Sequence, residues 1–357
     1  MRILNLCETA RGGVGIYQRF LSAMNGAEFE HHHLVPYEHS DFMGDLPNTH
    51  HFHRPARGLR ASANMLRAFG ALVREIDPDI CFFHSTFALA GLSSLRLRRD
   101  HRPTIYSSHG WAIATEKHDS LKGRAIRAVE GRLIGLADRV VCDSAADEEL
   151  ARSLGYRGRL LTIENAVPDA AADARADLFA DEPDRLHLLF VGRLDRQKGF
   201  DILAEALRRL RREDLVVHVI GGTVRGDAEA PEVPPGARMA GWIPRERLDD
   251  WYRSADALVV PSRWEGLPLV IPDALANGTP VICSERSGME RLIERGTTGE
   301  HFPLDPGALA ALLETLDKKT LRSMRPACKA AHARRFSIAR LHDELAALFR
   351  ELAGQKA

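Results

Sequence analysis

The side chains best suited to chemistry fall in two short stretches. In Phe190-Val191-Gly192-Arg193-Leu194-Asp195-Arg196-Gln197-Lys198-Gly199, an apolar run ends in a glycine and two cations, Arg193 and Lys198, flank a turn. The pattern from Asp201 to Leu210 is helical, so the turn faces a helix start, where backbone amides and the positive dipole end favour anions. Arg193 and Lys198 can converge there on a diphosphate, one as a planar fork and the other as a compact charge. A pair of solvated surface charges fits the same stretch taken alone.

The second stretch runs from Val259 to Pro280. An apolar strand enters a turn bearing Glu265 and Gly266, then Leu267, Pro268 and Leu269, then a short helix that contains Asp273 and ends at Gly278. Gly266 allows close backbone approach, and Pro268 suits a first helical turn, where its missing amide is not needed. Both carboxylates are expected at the carboxyl end of their strand, where open α/β sheets bind ligands. There they could accept hydrogen bonds from vicinal hydroxyls, or simply cap the helix start.

Two features of the first half belong with these. Gly12-Gly13-Val14-Gly15 follows the opening strand and precedes a helix, without the full G-x-G-x-x-G dinucleotide fingerprint, so it also fits an ordinary tight turn. His109 sits at a strand end in Ser107-Ser108-His109-Gly110-Trp111. A packed strand-end residue fits this histidine taken alone. Trp111 fits stacking on a sugar and packing beneath the loop equally well.

Positioning these residues requires alternating strands and helices. Short apolar runs recur at Ile3 to Cys7, His33 to Val35, Ile80 to His84, Thr104 to Ser108, Val140 to Asp143 and Leu160 to Ile163. After a stretch from Pro168 to Asp184 that is dense in Ala and Asp with prolines at both ends, they restart at His187 to Val191, Val216 to Ile220, Ala257 to Val260 and Val281 to Cys283. Segments between them, such as Ile16 to Met24, Ala61 to Ile76 and Leu121 to Ala137, place apolar residues at helical spacing. The expectation is two Rossmann-like α/β domains with parallel sheets, residues 1–166 and 185–335, joined by a linker at 167–184. A last segment, 336–357, repeats Leu341, Leu345, Leu348 and Leu352 at helical spacing and must bury one face against something.

Composition narrows the function. A chain of 357 residues is long enough for two cores, and Lys plus Arg balances Asp plus Glu at 49 each, so no global basic field favours nucleic acid. The basic face around Arg124, Arg127 and Arg132 could meet an anionic membrane, although solvated helix faces often carry such charges. Five scattered cysteines without C-x-x-C spacing, and an apolar start too short for a signal peptide, point to a cytoplasmic location. The clusters His31-His32-His33 and His50, His51 and His53 lie in strand-like segments whose alternation separates neighbouring rings, which disfavours a metal site.

The order strand, G-R-L-x-x-x-K-G, helix, then E-G-x-P-L, an acidic residue and G-T-P-V-I resembles the retaining glycosyltransferases of family 4. The likeness covers almost the whole chain and is strongest from Leu188 to Glu290. It implies the GT-B fold, two Rossmann-like domains facing across a cleft with the last segment, 336–357, packing back on the first, and a nucleoside-diphosphate sugar as donor. By that resemblance Gly12, Gly13 and Gly15 lie against the donor, His109 faces the transferred sugar, and Gly192, Arg193 and Lys198 hold the diphosphate. Glu265 matches the first acid of an E-x7-E motif and faces the sugar, with Gly266, Leu267 and Leu269 beside it. Asp273 stands where a second glutamate binds the ribose, one methylene short.

The implied acceptor is a glycan or lipid-linked hydroxyl, the implied role polysaccharide or glycolipid biosynthesis, and the expected catalytic set His109, Arg193, Lys198 and Glu265. No cofactor or metal is expected, since Asp77-Pro78-Asp79 more simply caps a turn. Two other readings share the fold: a sugar-nucleotide epimerase or hydrolase, and a non-catalytic nucleotide-sugar-binding subunit.

Overall fold

The computed structural model describes residues 1–56, 58–112, 120–223 and 232–354. Contacts divide the chain into two compact units, Met1–Asn165 with Leu341–Ala357, and Ala166–Arg340.

The first unit is built on seven parallel strands among the described residues: β1 (Arg2–Cys7), β2 (Glu30–Pro36), β3 (Thr49–Phe52), β4 (Ile80–His84), β5 (Thr104–Ser107), β6 (Arg139–Cys142) and β7 (Leu160–Thr162). Their order is β3-β2-β1-β4-β5-β6-β7, so chain direction across the sheet reverses between β1 and β4. The central strands are continuous apolar runs because helices cover both faces. Leu4, Leu6, Cys81 and Phe83 on the sheet meet Met65, Phe69 and Leu72 of the helix Leu59–Ile76 in one core.

The second unit repeats the plan with β8 (Leu186–Val191), β9 (Leu215–Ile220), β10 (Ala237–Gly241), β11 (Ala257–Val260), β12 (Val281–Ser284) and β13 (Gly299–Phe302). The order is β10-β9-β8-β11-β12-β13, and the reversal falls between β8 and β11. In such sheets the loops at the reversal splay apart at the strands' carboxyl ends and leave a ligand crevice. The chemistry-bearing segments 192–199 and 261–269 follow β8 and β11.

Two expectations change. The stretch 167–184 forms no helix or strand, yet it is packed into the second unit rather than running free as a linker. Asp249 and Asp250 accept the amides of Ala171 and Arg175 at 2.9 Å, and Phe179 stacks on His187 and His218 with ring centres 4.4 and 4.1 Å away. The turn after Glu265 also differs: the helix starts at Val270 with Leu269 as its N-cap, so Pro268 stands outside the first turn, its carbonyl accepting from Ile271 N at 2.9 Å.

The last helix, Ile338–Gly354, buries Leu341, Leu345, Leu348, Phe349 and Leu352, and within the first unit Phe349 meets Phe29 edge-on at 5.6 Å. Arg350 clasps Glu28 at 2.6 and 2.7 Å. The final three residues of the expected segment 336–357 lie outside the described residues.

The histidines alternate as their strand requires. His31 and His33 stack on one face of β2, while His32 stacks on His50 of β3 on the other. Among the described residues no group of His, Cys, Asp or Glu is arranged to hold a metal ion. Burial, reinforced by the neighbouring imidazoles, pushes His31 and His33 down to about 3, and burial with the adjacent His187 pushes His218 down to about 4. These groups are neutral when folded but take up protons below their ordinary value of about 6.5 when unfolded. Stability is therefore full above that pH and is lost as pH falls from there toward 4, by up to about 1.4 kcal/mol per pH unit for each buried ring. The expected result is a melting temperature that drops steeply between pH 6.5 and 4.5; a flat profile would show that the rings are solvated.

Candidate active site

At the carboxyl end of β8 the chain enters the turn 192–199, and its cations are already engaged. Arg193 donates to Gln197 Oε1 at 2.9 Å and pairs with Asp195 at 3.0 Å, with both charged groups about four-tenths exposed. Lys198 Nζ donates to Glu265 Oε1 at 2.7 Å, and Gln197 Nε2 reaches Glu265 Oε2 at 3.4 Å and the Trp264 carbonyl at 3.2 Å. Arg193, Gln197, Glu265 and Lys198 thus form one hydrogen-bonded patch across the two loops. Asp195 Oδ1 accepts from Lys198 N at 3.0 Å, which closes the turn.

The two loops are locked together by their backbones. Gly199 has φ +69, and a Cβ there would stand 2.0 Å from the carbonyl oxygen of Pro261, so only glycine lets the strand ends approach this closely. Gly221, after β9, is similarly confined, with φ +128 and the Gly192 carbonyl oxygen 1.9 Å from the place of a Cβ. Arg263 holds Asp201 at 2.7 and 2.6 Å and the Arg196 carbonyl at 2.8 Å. The helix Phe200–Arg209 then buries Phe200, Leu203 and Leu207, with Asp201 in its first turn and Arg208 and Arg209 in its last, matching its dipole.

Glu265 is buried by Lys198 and Gln197, while Gly266, Leu267 and Leu269 are half-buried around it. Asp273 is placed differently from a free ribose acceptor. It is buried inside the helix Val270–Ala276, and both its oxygens accept from Arg245, at 2.7 and 2.5 Å. Burial pushes its carboxyl up, and the guanidinium pulls against that shift. Arg245 opens the helix that follows β10 and lies 28 residues from its partner. No local spacing could have revealed it. Gln197 and Asp195, by contrast, stand inside the motif, and only their roles were missing.

In the first unit, exposed Gly12 is the N-cap of the helix Gly13–Ser22, with Gly13 exposed and Gly15 buried in its first turns. His109, just after β5, has φ +48. Such a conformation costs on the order of 1–3 kcal/mol for a non-glycine residue and persists where its surroundings hold it. Here three groups do so: Asp143 Oδ2 at 3.1 Å from Nδ1, His84 Nδ1 at 3.0 Å from Nε2, and the Tyr17 ring edge-on at 4.9 Å. Trp111 is only 1% exposed, donates to the Asp147 carbonyl at 2.8 Å and meets Tyr156 edge-on, so it packs into the core of the first unit and offers no face to a sugar.

Two Rossmann-like parallel sheets, each with polar loops at its reversal point, define the class: this is the GT-B architecture. A model of the glycosyl transferase 4-like domain matches residues 12–166, and one of glycosyl transferases group 1 matches residues 185–318. D-inositol 3-phosphate glycosyltransferase 1 of Catenulispora acidiphila is 31% identical over 81% of this chain and 74% of its own. A putative teichuronic acid biosynthesis glycosyltransferase of Bacillus subtilis is 28% identical over 69% and 62%. Among solved structures, Anabaena HepE in complex with UDP-glucose shares the fold with a TM-score of 0.79 at 17% identity, covering 98% of this chain and all of its own. The chain belongs to the family 4, group 1 glycosyltransferases.

Proposed function

We propose that the chain is a retaining transferase that moves a sugar from a nucleoside-diphosphate donor to a hydroxyl of a glycan or lipid-linked acceptor in polysaccharide or glycolipid biosynthesis. The observation that carries this reading is the patch after β8 and β11, where Arg193 and Lys198 are held by carboxylates that a diphosphate can displace. The relatives, an inositol phosphate and a teichuronic acid glycosyltransferase, and the UDP-glucose complex of the structural neighbour support it.

In this reading the bond from the anomeric carbon to the diphosphate oxygen breaks while the acceptor oxygen bonds to that carbon on the same face. The acceptor proton passes to the leaving diphosphate. Arg193 and Lys198 counter the charge growing on that group, as preorganised cations aimed at a developing anion do. Glu265, freed from Lys198, would face the sugar hydroxyls beside Gly266, Leu267 and Leu269. Gly12, Gly13 and Gly15 would approach the donor, His109 the sugar, and Asp273 the ribose through its pair with Arg245.

The scheme is metal-independent. The one D-x-D spelling, Asp77-Pro78-Asp79, caps the helix Leu59–Ile76 and binds the Arg2 amide at 2.8 Å, at the amino end of β4 and not at the site. On the helix Leu121–Ile134, Leu121 and Val129 are 84% and 58% exposed beside Lys122, Arg124 and Arg132, a face suited to anionic lipid. No helix among the described residues is long and apolar enough to cross a membrane. Five buried, free cysteines fit a cytoplasmic location.

A panel of nucleotide sugars, assayed in chelator for nucleoside-diphosphate release with and without lipid-linked acceptors in anionic vesicles, tests the reading. The expected result is acceptor-dependent release that persists in chelator, with protein sedimenting with the vesicles. Donor consumption without acceptor would favour the epimerase or hydrolase. Thermal stabilisation by donor without any release would favour the binding subunit, and loss of turnover in chelator would remove the metal-free scheme.

A further inference from the structure

Beneath His109 the strand ends of the first unit hold a chain of hydrogen-bonded side chains that the transfer chemistry leaves unused. Asn5 of β1 donates from Nδ2 to the His32 carbonyl at 3.1 Å and approaches His31 Nδ1 at 3.2 Å. A carbonyl can only accept, so this contact orients the amide and turns Asn5 Oδ1 toward His84 Nε2, 3.3 Å away. That oxygen also only accepts. His84 Nε2 therefore carries a hydrogen.

His84 is completely buried. Burial, with the nearby rings of His109, His33 and His31, holds it well below the usual histidine range, so it is neutral and its Nδ1 is a bare lone pair. His109 Nε2, 3.0 Å from that lone pair, must donate to it. The other nitrogen of His109 lies 3.1 Å from Asp143 Oδ2, whose partner oxygen accepts from Ser107 Oγ at 3.2 Å. Two lone pairs cannot face each other at that distance, so one more proton lies between ring and carboxylate. Among the described residues, Phe82 lies ring to ring with His84, Tyr17 with both histidines, and Asp147 is near, its carboxyl pushed up to about 7 by burial and Asp143.

We propose that Asn5 and His84 are positioning residues that set the protons of His109, fixing Nε2–H toward His84 and a shared proton toward Asp143. Both ring nitrogens are then committed within the protein, and His109 is a fixed wall of the site rather than its acid or base. The inference takes from the transferase reading only the placement of His109 beside the sugar. It also accounts for the strained backbone of His109, since a ring tied at both nitrogens holds φ positive.

The test is nitrogen NMR of the full chain labelled at histidine, combined with two variants. The expected spectrum has His84 neutral with hydrogen on Nε2, and His109 with hydrogen on Nε2 and a strongly shifted Nδ1 proton that Asp143→Asn abolishes. A bare Nε2 on His109 would overturn the relay whatever the turnover assay shows. His84→Asn keeps an acceptor oxygen near the place of Nδ1, and should hold kcat within about threefold of wild type. His84→Leu removes the acceptor and should lower kcat about tenfold with donor KM little changed, as loss of one hydrogen bond at a working residue does, and give the rate a new pH dependence. Equal effects from Asn and Leu would reduce His84 to packing and overturn the proposal. If wild type uses no sugar nucleotide, the transferase reading fails while the spectrum still decides the relay.

Discussion

Lys198→Ala is expected to lower kcat/KM for the sugar nucleotide about 10²- to 10³-fold, the usual effect of removing one preorganised donor from a developing anion. Arg193→Ala should act in the same direction. Lys198 has a second consequence because Glu265 is buried against it: without the ammonium, that carboxylate keeps, among the described residues, the long contact from Gln197 at 3.4 Å. Leaving such a group short of partners costs about 1–3 kcal/mol, so Lys198→Ala should also melt earlier. Glu265→Gln removes the charge and should lower turnover at saturating donor if the carboxylate acts chiefly in the transition state. The double variant separates the two effects. Stability should recover toward wild type while activity stays low, because the lost charge balance is restored and the lost phosphate contact is not. Measured steady-state constants and urea midpoints for the four proteins decide the matter, and wild-type turnover by Lys198→Ala would dismiss the diphosphate assignment.

Arg245→Ala should cost about 2–4 kcal/mol of unfolding free energy. Breaking a buried ion pair leaves an uncompensated charge, and the value sits low in the usual range because the guanidinium is 42% exposed while Asp273 is 8% exposed. Asp273→Ala should be milder, since an arginine left alone can turn to solvent. The combined variant Arg245→Met with Asp273→Leu should return close to wild-type stability, because matched apolar residues carry no desolvation penalty. Denaturant unfolding of the three proteins tests this, and a loss under about 0.5 kcal/mol for Arg245→Ala would show the pair to be solvated. Both single variants should raise donor KM, the readout that ties the pair to the nucleoside.

The strand-turn-helix segments were legible because their signals are local. An apolar run, a glycine, flanking cations and a 3.6-residue period lie within about twenty residues of one another. Central strands were legible for the same reason, since burial on both faces writes a continuous apolar run. The edge strands β10 and β13 were not, because Ala237–Gly241 and Gly299–Phe302 carry Arg238, Met239, Glu300 and His301 and show no such run. The stretch 167–184 misled because its Ala and Asp density, with prolines at both ends, describes its backbone, whereas its packing rests on Phe179 and on the carboxylates of a distant helix.

From its residues alone this chain declared two α/β units, a basic turn after β8, an acidic turn after β11 and a histidine at the end of β5. Those are properties of short segments, set by side-chain period and by the chemistry of neighbouring residues. What partners those groups have was decided only on folding. Lys198 meets Glu265, Asp273 meets Arg245, and Asn5, His84, His109 and Asp143 meet in a row. The reason is that parallel sheets place strands far apart in sequence side by side, so every such contact depends on strand order and register, which no local pattern records.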